Sequence, residues 1–318
     1  MPVPEFFISF LVSILFLIIS AYLLLKFSEE LSSRIKISPL IIGVTLVAIG
    51  TSLPETFVAI SSIIQGAPLI SFGDIIGSGI VNICLILGIN ILIFPVRIGT
   101  SKTQKNNLIL LIITSIFVAL FFLPDNIRKV LGIALIVFYI IFFVTEIIWG
   151  KEGSNNEDKK TLAKLERSKG NPILYFLGVA LSIGGLIISS KYLVASVIEI
   201  SKAFNINQEL IGLSLVALGT SLPELAAAIS SGIRKDWKLL YGDLQGSNIY
   251  NLSIIGAILI IFGGNGYSID VFSLVFMALT IFSVILLSHK YMGTNIPRGY
   301  GIIYILVYVF YIYKIYKF

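Results

Sequence analysis

The sequence predicts an all-α polytopic membrane protein: ten transmembrane helices arranged as two inverted five-helix repeats, with helices 2 and 7 broken in mid-membrane. Three observations carry that prediction. Hydrophobic residues make up 57% of the 318 and charged ones only 13%, against roughly a quarter charged in ordinary soluble domains. A mean hydropathy of +0.98 leaves too little polar surface for a water-soluble, fibrous or disordered chain. The apolar residues also gather into runs of membrane-spanning length, and a distinctive block recurs in each half.

A hydrocarbon core of ~30 Å takes about 20 residues of helix. Runs of that kind lie at about 5–32, 38–65, 69–95, 106–123 and 127–149, then at 171–200, 207–233, 238–263, 268–288 and 297–315. The first run has Glu5 and no basic stretch ahead of it, so it reads as a retained span and not as a cleaved leader. The long charged connection, 150–170 (GKEGSNNEDKKTLAKLERSKG), divides the chain into a first five-helix repeat, 1–149, and a second, 171–318. Its charges read as a solvated face.

The halves are duplicated. Residues 41–55, IIGVTLVAIGTSLPE, align with 210–224, LIGLSLVALGTSLPE, at an offset of 169 with eleven of fifteen positions identical. The same offset aligns GDIIGSGIVN, 73–82, with GDLQGSNIYN, 242–251. Two motifs recurring in one register signal internal repetition. Five spans is an odd number, so the second half enters the membrane from the opposite face, the inverted-repeat plan of many secondary transporters.

Charge placement sets the orientation. Arg34, Lys36, Arg97, Lys102, Lys105, six basic residues of the linker, Arg234, Lys235, Lys238, Lys290 and Arg298 fall on one side, and Arg128, Lys129, Lys202, Lys314 and Lys317 on the other. The positive-inside rule makes the linker cytoplasmic and both termini extracellular. The net charge of +6 thus reflects anchoring in the bilayer and not nucleic-acid binding.

Glu55 and Glu224 lie near the middle of runs 2 and 7, where a carboxylate is costly and functional by default. Ser52-Leu53-Pro54-Glu55 and Ser221-Leu222-Pro223-Glu224 also fit a helix-capping box, which would be needed there only if the helix were broken. Gly50 and Gly219 loosen the backbone, and Pro54 and Pro223 lack the N–H that would bond the carbonyl four residues back. Unpaired carbonyls from Ala48 to Thr51 and from Ala217 to Thr220, with the hydroxyls of Thr51, Ser52, Thr220 and Ser221, then make two oxygen-rich kinks. Such kinks suit a hard cation, which takes roughly six to eight oxygens in the case of Ca²⁺. In the following runs Asp74, Ser78 and Asn82 share one helical face, as do Asp243, Ser247 and Asn251. Asn82 and Asn251 are expected to contact the cation or a glutamate, and Gly73, Gly77, Gly242 and Gly246 to pack helix on helix. Asp74 and Asp243, near the starts of their runs, are expected at the outer and inner vestibules, with a helix-terminal role as the competing reading.

GTSLPE followed by GxxxGSxxxN, twice, resembles the sodium/calcium exchangers of the cation/Ca²⁺ exchanger superfamily, in their compact prokaryotic form. The resemblance implies an antiporter exchanging Na⁺ for Ca²⁺ by alternating access, in the direction of Ca²⁺ extrusion, with a Ca²⁺/H⁺ antiporter as the alternative. It implies that Glu55 and Glu224 bind Ca²⁺ and Na⁺ in competition. Oxygens would come from Thr51, Ser52, Ser78, Thr220, Ser221 and Ser247, and backbone carbonyls of Ala48 and Ala217 would reach flanking Na⁺ sites. The long first and sixth helices are implied to slide across the core. Many members carry Asp at the position of Asn251, and Asn or Thr at those of Asp74 and Asp243.

No cofactor is expected, only the transported Ca²⁺ and Na⁺, with the lipid bilayer as the remaining partner. An embedded enzyme would need a nucleophile–base pair or a metal cluster. The lone His289 lies at a helix end and Cys84 has no evident base, so Cys84 reads as a small buried hydrophobe.

Overall fold

The computed structural model describes residues 3–35, 50–97, 101–152, 172–264 and 269–317. Among these the chain is helical almost throughout. In order come α1 (Val3–Ile35), α2 (Leu53–Ile64), α3 (Pro68–Ile80), α4 (Gly88–Ile93), α5 (Ser101–Leu120), α6 (Asp125–Glu152) and α7 (Pro172–Phe204). Then follow α8 (Gln208–Ile211), α9 (Ala217–Thr220), α10 (Leu222–Arg234), α11 (Trp237–Tyr250), α12 (Gly256–Phe262), α13 (Val271–Lys290) and α14 (Gly299–Lys317). Three π-helical stretches join neighbours: Val81–Leu87 between α3 and α4, Gly212–Val216 between α8 and α9, and Asn251–Ile255 between α11 and α12. The first and last of these contain Asn82 and Asn251, and wide turns of this kind often mark functional positions.

Among the described residues, seven helices are long and apolar enough to cross a membrane, or eight when the pair Gln208–Thr220 and Leu222–Arg234, bent by 43°, counts as one broken span. Two expected spans are shorter apolar helices, Leu53–Ile64 and Gln104–Leu120. For the first, residues 38–49, the start of run 2, lie outside the described residues. Most of the linker 150–170 does too.

The packing separates into two bodies of hydrophobic contact. One centres on α3, its π-helical extension and α4, surrounded by α5, α11, α12, α13 and α14; it contains Phe72, Ile76, Phe117, Leu252, Met277 and Tyr311. Cys84 is buried within it. The other joins α1 to α7 through Phe10, Ile14, Leu17, Leu186, Leu193 and Val197, and reaches the centre through Val58, Ile70 and Val216. The outward faces of α1, α6, α7 and α14 carry exposed Leu15, Phe16, Ile141, Leu181, Ile188 and Phe310. An apolar exterior around a core holding many polar side chains is what lipid as solvent demands.

The α3 helix crosses the α8–α9 segment closely enough to require glycine. A Cβ on Gly77 would lie 2.6 Å from the Ala217 Cβ, and one on Gly73 would lie 2.8 Å from the Leu213 nitrogen. The packing role expected of these two glycines is therefore met, whereas a Cβ on Gly242 would meet nothing within 4 Å; the α3 crossing brings Asp74 and Ser78 against the break in the opposite half.

Candidate cation-binding centre

The two breaks share one backbone geometry. Ser52 (φ −88°, ψ 10°) and Ser221 (φ −81°, ψ 5°) leave the helical region, and α2 and α10 begin after them with proline in the first turn. Proline suits that place, because first-turn N–H groups have no partner within the helix. Neither serine forms a side-chain cap, and both hydroxyls are buried without a hydrogen-bond partner. The capping box that the spacing allows is therefore not made. Ser52, Ser221 and the glutamates three residues on keep their oxygens for other uses.

Each break is tied to the opposite half by a threonine. Thr220 Oγ1 donates to Asp74 Oδ1 at 2.9 Å, and Thr51 Oγ1 donates to Asp243 Oδ1 at 3.2 Å. Ser78 Oγ approaches the same Asp74 oxygen at 3.5 Å. On the other side the Thr51 and Ser247 hydroxyls are 3.2 Å apart, and Ser247 Oγ donates to Glu224 Oε1 at 3.2 Å. The charges of Glu224 and Asp74 act on Glu55, and those of Asp243 and Asp74 act on Glu224. All four acids belong to one buried neighbourhood.

Several polar atoms there have no partner: both carboxylate oxygens of Glu55, Oε2 of Glu224, Oδ2 of Asp74 and of Asp243, Oδ1 of Asn82, and both Nδ2 and Oδ1 of Asn251. The ion pairs seen, Arg128–Asp125 and Lys202–Glu199, lie elsewhere, so no cationic side chain neutralises these acids among the described residues. Burying an uncompensated charge costs several kcal/mol even after relaxation. Carboxylates, hydroxyls and amides of this kind suit hard cations with oxygen ligands. No group of three or more Asp, Glu, His or Cys side chains is placed to hold one metal ion together among the described residues.

Three expectations change. Asp74 and Asp243 do not line vestibules: they are 0% and 2% exposed and sit in the centre. Neither stands in the first turn of its helix, so the helix-terminal reading fails as well. The close α3 crossing, which the sequence does not display, draws Asp74 inward. The Ala217 carbonyl, expected to be unpaired, accepts the Ser221 N–H at 3.2 Å, because Pro223 frees only the Gly219 carbonyl four residues before it. Ala48 lies outside the described residues.

A polar network was missed. Asn82 Nδ2 donates to Asn248 Oδ1 at 2.8 Å, Gln245 Nε2 donates to Asn107 Oδ1, and Asn107 Nδ2 donates to Ser288 Oγ at 3.1 Å. With Tyr241, the side chains of Asn82, Asn107, Gln245 and Asn248 line a cavity of about 20 Å³, room for a single water. The signal was present as Tyr241, Gln245 and Asn248 at helical spacing on one face, but it has no counterpart in the first repeat, where Phe72, Ile76 and Gly79 stand.

Comparison with known proteins agrees with this chemistry. The family model described as sodium/calcium exchanger protein matches residues 5–148 and 174–317. The chain is 33% identical over 252 residues to the putative antiporter CaxA of Alkalimonas amylolytica, covering 77% of each. It is 27% identical over 340 residues to the sodium/calcium exchanger MaX1 of Methanosarcina acetivorans, covering 95% of this chain and 96% of that one. The fold superposes on the solved sodium–calcium exchanger NCX_Mj with a TM-score of 0.64 at 25% identity, over 98% of both chains. An all-helical membrane protein whose two duplicated breaks meet at buried, unpaired carboxylates, and whose sequence matches along both halves, belongs to the sodium/calcium exchanger family.

Proposed function

We propose that the chain is a secondary antiporter exchanging Na⁺ for Ca²⁺ by alternating access, working as a Ca²⁺ extruder. The observation that carries this reading is the pair of broken helices, each presenting a buried glutamate with unpartnered oxygens and each tied by a threonine to the other half. Glu55 and Glu224 are assigned to Ca²⁺, which neutralises both. Thr51, Ser52, Ser78, Thr220, Ser221, Ser247, Asn82 and Asn251 supply neutral oxygens, and the carbonyl of Ala48 is assigned to a flanking Na⁺. A centre emptied of cations holds buried like charges that repel, so it crosses between faces only when loaded. Obligatory exchange follows from that electrostatic penalty.

The architecture assigned to this cycle is ten spans in two inverted five-helix repeats, 1–149 and 171–318, with the linker 150–170 cytoplasmic and both termini extracellular. The α1–α7 pair is the mobile element: it forms its own hydrophobic cluster and meets the centre through few side chains. Ca²⁺ uptake into proteoliposomes under separately imposed Na⁺, K⁺ and pH gradients tests the coupling. Uptake driven by the Na⁺ gradient alone is expected. Uptake that follows only the pH gradient would replace this reading with a Ca²⁺/H⁺ antiporter.

A further inference from the structure

Residues 271–318, which form α13, α14 and the turn between them, contain no aspartate or glutamate. Lys290 and Arg298 flank that turn, and both are exposed. The turn also draws in Arg97: Ile296 N donates to the Val96 carbonyl at 2.9 Å, and Arg97 Nε donates to Asn295 Oδ1 at 2.8 Å. This end of the helix pair is therefore positive, with no acid on either helix to offset it. Lys290 is held between two rings, its Nζ 5.3 Å from the centre of Tyr291 and 5.9 Å from that of Tyr300. It donates to Tyr300 Oη at 3.3 Å, and Tyr291 Oη donates to the same oxygen at 3.4 Å. With two donors on its oxygen, the Tyr300 hydroxyl keeps its own proton for another acceptor. An ammonium and a phenol O–H fixed side by side suit an oxyanion.

From this cluster a groove of about 400 Å³ runs between α13 and α14. Its walls include Phe276, Leu279, Leu286, Ile303 and Val307, and Leu279, Leu286 and Ile303 are more than half exposed. The hydroxyls inside are already engaged: those of Ser283 and Tyr304 are 2.9 Å apart, and Thr280 donates to the Met277 carbonyl at 2.8 Å. What remains for an occupant is apolar surface. Leu279 lies ~16 Å of helix from Lys290, close to the depth of one leaflet of a ~30 Å core.

We propose that this groove seats one anionic phospholipid, with an acyl chain between α13 and α14 and its phosphate on Lys290 and Tyr300. Charge complementarity selects the anionic headgroup, because a zwitterionic one would bring a second cation to an end that is already positive. Basic pockets between membrane helices recognise acidic headgroups in this way. The site lies apart from the cation centre and does not rest on the exchanger reading. In the orientation assigned above, the headgroup falls in the cytoplasmic leaflet, where anionic lipids concentrate.

The experiment is native mass spectrometry of the purified full chain, titrated with phosphatidylglycerol or with phosphatidylcholine of the same acyl chains. One phosphatidylglycerol is expected to stay bound, about fivefold more tightly than phosphatidylcholine, the effect of one basic group on an acidic lipid. Lys290→Gln is expected to abolish that preference, and Leu286→Trp, which fills the groove, to weaken both lipids. A phosphatidylglycerol with a photoreactive acyl chain should label α13 and α14. Equal retention of the two lipids overturns the proposal, since it describes an ordinary lipid annulus. So does a preference that survives Lys290→Gln, labelling confined to other helices, or displacement of the lipid by an equal concentration of glycerol phosphate, which would mean an anion site without a chain. If Leu286→Trp fails to fold, the native comparison, the labelling and the exposed Lys290→Gln change decide without it.

Discussion

The two halves of the centre began as near copies and are not equivalent. In the first half Glu55 has both carboxylate oxygens free, while Glu224 in the second has one engaged by Ser247. Asn82 is held by Asn248, whereas Asn251, its counterpart in the repeat, touches no hydrogen-bond partner. The cause is a single position. Asn248 occupies the place of Gly79, so only the second half has an amide to offer across the interface, and it serves Asn82. Duplication preserves which residue types reach the centre. The opposing surface decides what each one does there.

The largest expected effect removes the feature that the halves share. Glu55→Gln and Glu224→Gln should each abolish Ca²⁺ transport in proteoliposomes while the purified proteins keep the native melting profile. If the free Glu55 and the engaged Glu224 have equal weight, the asymmetry is only one of hydrogen bonding. Near-normal flux in either variant would break the shared centre altogether.

A smaller effect separates the halves. Asn82→Leu strands the Asn248 amide oxygen in a buried site and should lower stability in ion-free buffer by about 1–3 kcal/mol. Asn251→Leu strands nothing, so its stability there should stay within about 0.5 kcal/mol of the native chain, while both variants bind Ca²⁺ more weakly. Equal losses of stability in denaturation experiments would show that Asn251 has a structural partner after all.

The smallest effect lies at the entry to the second-half core. Asp236 caps α11 by accepting from Leu239 N at 3.0 Å, whereas α3 begins at Pro68 after Ala67 with no side-chain cap. Asp236→Ala should cost about 1 kcal/mol, visible as a lower melting temperature with transport unchanged.

Much of this protein is written in residue type and spacing. Apolar runs dictate helices in lipid, because backbone groups there have no water to bond. Pro54 and Pro223 dictate breaks, because they lack an N–H, and both breaks fall at the serines two residues earlier. The duplicated glutamates, hydroxyls and amides were legible for the same reason: a costly group in mid-membrane advertises a use. Those inferences depend on neighbours along the chain. Three others depend on neighbours across space. Asp74 and Asp243 looked peripheral by distance along their helices, but glycine-mediated crossing of α3 and threonines from the opposite breaks hold them in the centre. The capping box matched its pattern and was not formed, since pattern does not say where a buried serine or glutamate points. Asn248 stood in the open beside the repeat motif and gained its role only because Asn82 faces it. Sequence determined by itself which groups are placed in the membrane at a cost, because that cost is set by the solvent. Tertiary structure alone decided which of them meet, because hydrogen bonds and charges act over a few ångströms that chain separation does not measure.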